Sequence, residues 1–122
     1  MSRRPLVSLL IPVRNRPAML RAALQSAIAQ RYEPLEIVVC DNASTDDTAE
    51  VARELARSDE RVQVYVNEHD VGGFNYPVTL RHSRGELVQF LNSDDVLDPA
   101  CVERLASAMD RPETVMSFCR AS

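Results

Sequence analysis

Apolar positions gather into four short runs, and each run empties into a polar loop. Leu6–Val13 ("LVSLLIPV") is almost continuously apolar, as expected of a strand buried on both faces. Pro17 then suits the first turn of a helix. Leu20, Ala23, Leu24, Ala27 and Ile28 recur at helical spacing and give one apolar stripe up to about Gln30. Leu35–Cys40 ("LEIVVC") reads as a second buried strand, followed by a helix that begins between Ser44 and Asp46 and turns Val51, Ala52 and Leu55 inward. Val62–Val66 alternates as a third strand. The loop "NEHDVGGFNYP" follows, then a short, weak helix from Pro77 to about Arg84. Glu86–Leu91 is the fourth strand, and Asp98–Met109 a capped helix with Val102, Leu105, Ala106 and Met109 facing the core. Thr114–Phe118 reads as the start of a fifth strand.

Alternating strands and helices predict an α/β fold: a Rossmann-like, doubly wound, mostly parallel sheet with helices on both faces. Ligands in such sheets bind beyond the carboxyl ends of the strands. The loops with chemistry all follow strands: "PVRNR", "DNASTDD", "NEHDVGGFN" and "NSDD". The "YEP" and "SRG" connections, which enter strands at the opposite edge, read as chemically plain.

Composition narrows this picture. At 122 residues the chain suits one domain. Its net charge of −4, with no face gathering basic residues, argues against a nucleic-acid partner. No run approaches the ~20 apolar residues that span a bilayer, and "MSRR" leads into no cleavage site, so the expected location is cytoplasmic, with a peripheral membrane association compatible. Cys40, Cys101 and Cys119 are widely spaced and read as thiols of a reducing compartment rather than disulfides.

The first loop excludes as much as it suggests. "PVRNRPAM" has no glycine and the chain no lysine, so neither a dinucleotide fingerprint nor a P-loop is present. A diphosphate bound here needs another source of positive charge, and a divalent metal held by carboxylates is one. Asp94 and Asp95 are the candidates. The same acids, with Asp98, also suit the start of a helix, where carboxylates satisfy free N–H groups. Ser44 and Asp47 have capping-box spacing, which leaves Asp41, at the tip of a buried strand, free to accept from a base N–H or a ribose hydroxyl. His69, Asp70 and His82 lack a nucleophile at a telling distance. Tyr65, Phe74 and Tyr76 read as packing residues.

Together these stretches resemble glycosyltransferase family 2, whose members have the GT-A fold. Pro12 and Asn15 match its Pro-x-x-Asn turn, and Ser26 and Gln30 its Ser-x-x-x-Gln helix end. Glu36, Ile37 and Asp41 match its Glu-Ile-x-x-x-Asp strand, and Ser44, Thr45, Asp46 and Thr48 its Ser-Thr-Asp-x-Thr box. "GELVQFLNSDD" resembles the segment ending in Asp-x-Asp-Asp. The resemblance implies a UDP- or dTDP-sugar donor, Mg²⁺ or Mn²⁺ on its diphosphate, and inverting transfer to a hydroxyl of a glycan, lipid-linked or protein acceptor in cell-surface polysaccharide synthesis. It implies donor contacts from Pro12, Arg14, Asn15, Asp41, Asn92, Ser93 and Asp95, with Asp94 as metal ligand.

Two departures stand out. Asn92 occupies the place of the first acid of the metal motif, which softens metal affinity. Asn75, Tyr76 and Pro77 fall where Ala-Arg-Asn is expected, so a basic residue offered to the donor is missing unless Arg81 substitutes. Family domains run to roughly twice this length, within the usual domain range. Residues 1–122 thus correspond to the donor-binding part, without the acceptor-binding half and its catalytic base. A nucleotide-binding module without turnover is the alternative, and a receiver-like domain fails for want of an early acid pair and a late lysine. An exposed sheet edge predicts self-association.

Overall fold

The first two strands are buried along their whole length, which is why their sequences show no polar alternation. A computed structural model describes residues 4–109. It contains β1 (Val7–Val13), α1 (Pro17–Ile28), β2 (Leu35–Asp41), α2 (Thr48–Ala56) and β3 (Val62–Val66). A single 3₁₀ turn at Gly72–Phe74 then leads into α3 (Asn75–Arg81), β4 (Leu87–Phe90) and α4 (Cys101–Met109). The four strands are all parallel, in the order β3-β2-β1-β4.

Side-chain alternation divides the sheet into two faces. Val7, Leu9, Ile11 and Val13 of β1 join Leu35, Ile37 and Val39 of β2 in one core. Leu20, Ala23, Leu24 and Ala27 of α1, Ala52 of α2, and Cys101, Val102 and Ala106 of α4 close over it. On the other face α3 packs on β1 and β2. Helices therefore lie on both faces, as the sequence predicts. The chain winds outward from β1 to β3 and returns to place β4 on the other side of β1. That reversal between β1 and β4 opens a crevice at their carboxyl ends.

Several boundaries differ from expectation. Helix α2 begins at Thr48, not at Ser44–Asp46, and the Ser44–Asp47 capping box does not form. Asp46 takes the turn instead, accepting from the Thr48 N–H at 3.0 Å and from its hydroxyl. Ser44 is drawn to Asp41. Helix α3 starts two residues before Pro77, and α4 starts at Cys101, with Asp98 accepting from the Ala100 N–H at 2.9 Å ahead of it. Cys40 is a buried free thiol, but Cys101 is disulfide-bonded, which corrects the expectation of unpaired thiols there. The strand expected at Thr114–Phe118 lies outside the described residues.

The edge where strands begin is not chemically plain. Glu36 is buried, and its carboxylate accepts from the Ser8 hydroxyl at 2.5 Å and the Arg84 N–H at 2.6 Å. Ser8 Oγ in turn accepts from the Gly85 N–H at 2.8 Å. A Cβ on Gly85 would stand 2.4 Å from that oxygen and 2.8 Å from the Leu87 carbonyl oxygen, so the close approach requires glycine. This knot ties β2 to the entry of β4 across β1.

Candidate functional site

The crevice is assembled by stitching the loops after β1 and β2 together. Asn15 has φ 54°, a left-handed conformation that asparagine tolerates. From there its N–H donates to Ser44 Oγ at 2.9 Å and its Oδ1 accepts from the Thr45 N–H at 2.8 Å. The Arg16 N–H donates to Thr48 Oγ1 at 3.0 Å. Asp41, 1% exposed, accepts from the Ser44 N–H at 3.0 Å and the Ser44 hydroxyl at 2.5 Å. The Pro-x-x-Asn and Ser-Thr-Asp-x-Thr residues thus act first as loop fasteners.

A network of side-chain amides carries the crevice on to β3 and α3. Buried Asn42 donates to Asp70 Oδ1 at 2.8 Å and accepts from the Val71 N–H at 2.9 Å and from Asn67 Nδ2 at 3.1 Å. Asn67 also donates to Asn75 Oδ1 at 2.8 Å, and buried Asn75 donates to the Cys40 carbonyl at 3.1 Å. Arg14 spans the mouth, with Nε 3.1 Å from the Asn42 carbonyl and 3.4 Å from Asp70 Oδ2. The Gly72 N–H, with Arg14 and Asn42 adding to it, holds the Asp70 carboxyl below the usual Asp range. Burial pushes the Cys40 thiol up.

The loop after β4 is held from the α1 side. Ser26 Oγ accepts from the Leu97 N–H at 3.0 Å, while Gln30 donates to the Asp98 carbonyl at 2.8 Å and accepts from the Val102 N–H at 2.9 Å. The Ser-x-x-x-Gln pair therefore fixes the segment that presents "NSDD".

Two adjoining clefts result. One, of about 290 Å³, is lined by Pro12, Val13, Arg14, Arg16, Asn42, Gly72, Asn75, Tyr76 and Ser93. The other, of about 230 Å³, is lined by Pro12, Arg16, Tyr76, Asn92, Ser93 and Asp94. Of the candidate residues, Pro12, Arg14, Asn92, Ser93 and Asp94 meet here. Asn15, Asp41 and Asp95 stand beside these linings, the first two engaged in the fastening described above. No side chain among the described residues pairs with the Asp94 carboxylate.

Those donors fit a cation shared with a diphosphate rather than a dedicated cage. Among the described residues no group of three or more His, Cys, Asp or Glu could hold a metal, whereas Mg²⁺ is commonly held by one or two carboxylates plus phosphate oxygens. Arg14 and Arg16 bring positive charge to the cleft linings, whereas Arg81, in the last turn of α3, is in neither lining. His82 stacks on Tyr65 with ring centroids 3.8 Å apart, a packing role.

Arg16 and the amides of Asn42, Asn67 and Asn75 were not assigned to the site from sequence, and neither were Asp70, set aside for want of a nucleophile, and Tyr76, read as packing. One signal was available: an asparagine stands one or two residues beyond every strand, as Asn15, Asn42, Asn67 and Asn92.

With the geometry established, comparison with known proteins is decisive. The model of glycosyl transferase family 2 matches residues 8–121. The chain belongs to that family. It is 36% identical over 95 residues to the GalNAc(5)-diNAcBac-PP-undecaprenol beta-1,3-glucosyltransferase of Campylobacter jejuni, covering 76% of this chain and 31% of that protein. It is 34% identical over 103 residues to chondroitin synthase of Escherichia coli, covering 84% of this chain and 15% of that one. The chain spans a third or less of these relatives' length. Among solved structures, the mannosyltransferase PcManGT of Pyrobaculum calidifontis, in complex with GDP-Man and Mn²⁺, superposes with TM-score 0.84 at 25% identity, covering 91% of this chain and 34% of that one. S. aureus TarS in complex with UDP-GlcNAc gives TM-score 0.78 at 29% identity, covering 85% and 31%. The fold is therefore part of the GT-A glycosyltransferase fold, and a receiver domain is ruled out. No helix among the described residues is long and apolar enough to cross a membrane.

Proposed function

We propose that this chain is the donor-binding part of an inverting glycosyltransferase, taking a nucleoside diphosphate sugar into the crevice between β1 and β4. The observation that carries the reading is Asp94: a carboxylate with no side-chain partner among the described residues, in a cleft it shares with Pro12, Arg16, Tyr76, Asn92 and Ser93. A Mg²⁺ or Mn²⁺ ion on Asp94 would neutralise the diphosphate and the charge that develops as the sugar departs. Asp95, one residue on, is the second carboxylate within reach of that ion or of the sugar. Arg14 and Arg16 offer guanidinium N–H groups to phosphate oxygens, and guanidinium suits that geometry. Pro12, Asn15 and Asp41 shape the nucleoside side, where Asp41 meets a base N–H once Ser44 yields one of its oxygens.

PcManGT is in complex with GDP-Man and Mn²⁺ and TarS with UDP-GlcNAc, which supports a nucleotide-sugar donor and a divalent cation in a fold of this kind. The acceptor hydroxyl, on a glycan, lipid-linked or protein molecule, and the base that deprotonates it would engage parts of the fold beyond this chain. Synthesis of a cell-surface polysaccharide from the cytoplasmic side of a membrane is the setting this reading favours.

Calorimetric titration with UDP, dTDP and GDP, with and without Mn²⁺, tests the donor site. Binding strengthened by Mn²⁺, with that gain lost in Asp94→Ala, is expected. A folded protein that binds none of the three overturns the reading. The second reading is a nucleotide-binding module without turnover. Donor hydrolysis or transfer by the isolated chain would exclude it. We further propose that β4 self-associates, because its outer edge is unpaired among the described residues and Val88 and Phe90 are exposed, as is Tyr76, whose ring lies against Phe90. A sedimentation coefficient independent of concentration would count against that.

A further inference from the structure

Two of the positions at which this chain departs from the family pattern touch each other. Asn92 stands where the first acid of the metal motif is expected, and Tyr76 where the arginine is expected. The Tyr76 hydroxyl donates to Asn92 Oδ1 at 2.7 Å, and both residues line the 230 Å³ cleft beside Asp94.

That bond decides what Asn92 can offer. A carboxamide is two-sided: its oxygen can join a cation's coordination shell, whereas its nitrogen only donates hydrogen bonds. A phenol carries one proton, and 2.7 Å is the usual separation of an O–H···O bond. With one of the two Oδ1 lone pairs taken by the Tyr76 hydroxyl, the amide is held in one orientation, and the Nδ2 hydrogens have no partner among the described residues. Tyr76 is itself held in place. Its ring lies tilted against Phe90 with centroids 5.2 Å apart, and its neighbour Asn75 anchors the start of α3 to the Cys40 carbonyl at 3.1 Å. An arginine opposite an aspartate would have placed a charged pair here. Tyrosine opposite asparagine keeps a hydrogen bond and removes both charges.

We propose that Tyr76 is a positioning residue that locks Asn92 as a hydrogen-bond donor toward an oxygen of the nucleotide-sugar, leaving the divalent cation to carboxylate oxygen, Asp94 first. The proposal rests on the donor-site reading above and assigns the softened metal motif a purpose. The site holds part of its ligand through neutral N–H groups and so retains binding when the cation is absent.

Two probes test it on the full chain: Mn²⁺ alone, followed by water-proton relaxation, and UDP or GDP in EDTA, followed by calorimetry. Asn92→Asp should tighten Mn²⁺ about tenfold and weaken nucleotide binding in EDTA about tenfold, since a second carboxylate attracts the ion and repels the bare diphosphate. Tyr76→Phe should shift both affinities in the same directions by about threefold, because a freed amide can turn its oxygen to the ion. A merely structural tyrosine would instead weaken both probes together and lower the thermal midpoint. Unchanged affinities in Tyr76→Phe, or Mn²⁺ affinity unchanged in Asn92→Asp, overturn the proposal while the donor site stands. A wild type that binds no nucleotide under any condition removes the donor-site reading, and the ligand of this proposal with it.

Discussion

The two edges of the sheet each bury a carboxylate, and they put it to opposite use. Where strands begin, Glu36 is closed into a knot with Ser8, Arg84 and Gly85, with no room for even a methyl group. Where strands end, Asp41 is buried as deeply, yet its partner Ser44 belongs to a loop, and beyond it lie two clefts lined by arginines, amides and Asp94, which has no side-chain partner among the described residues. A buried acid alone therefore says nothing about function. What separates the edges is whether the surrounding polar groups are consumed or left facing a cleft.

The comparison can be broken most severely at the knot. Gly85→Ala forces a Cβ against Ser8 Oγ and the Leu87 carbonyl, and should cost about 3 kcal/mol in chemical denaturation. Glu36→Ala leaves the Ser8 hydroxyl and the Arg84 N–H without their acceptor, and should cost about 2 kcal/mol. Whatever protein remains folded should bind nucleotide as the wild type does.

At the other edge the order of effects reverses. Asn75→Ala unpairs the Cys40 carbonyl and one Asn67 hydrogen, and should cost roughly 1.5 kcal/mol while also weakening nucleotide binding. Asp94→Ala should leave stability within about 0.5 kcal/mol of wild type, as for surface changes that break no contact, yet abolish Mn²⁺-dependent binding. The smallest effect is on pH dependence. Asp70 titrates below the ordinary Asp value of about 3.9. Its contribution is thus present above that value and lost as pH falls through the lower folded one. Denaturant midpoints should therefore fall less between pH 5 and pH 3 in Asp70→Asn than in wild type.

Much of the crevice was legible from sequence because buried parallel strands must be apolar and their loops must carry whatever chemistry there is. The loops stood out on that ground, the family resemblance drew Pro12, Arg14, Asn92, Ser93 and Asp94 from them, and these five line the two clefts. The amide network was not legible. An asparagine after a strand looks like any turn residue, and only proximity of loops 25 or more positions apart turns Asn42, Asn67 and Asp70 into one surface. Spacing misled at the cysteines, where Cys101 is disulfide-bonded, and at Ser44 and Asp47. The capping box lost to Asp41, whose burial left its carboxylate in greater need of the Ser44 hydroxyl.

By itself the sequence determined the order of elements, the direction of the strands and the edge at which the two clefts open, because hydrophobic periodicity and right-handed crossovers leave few alternatives. Tertiary structure alone decided which polar groups are spent on one another and which face the cleft. Hydrogen-bond partnership depends on distances between loops remote in the chain. Tyr76 and Asn92, sixteen positions apart and facing one cleft, show this most plainly.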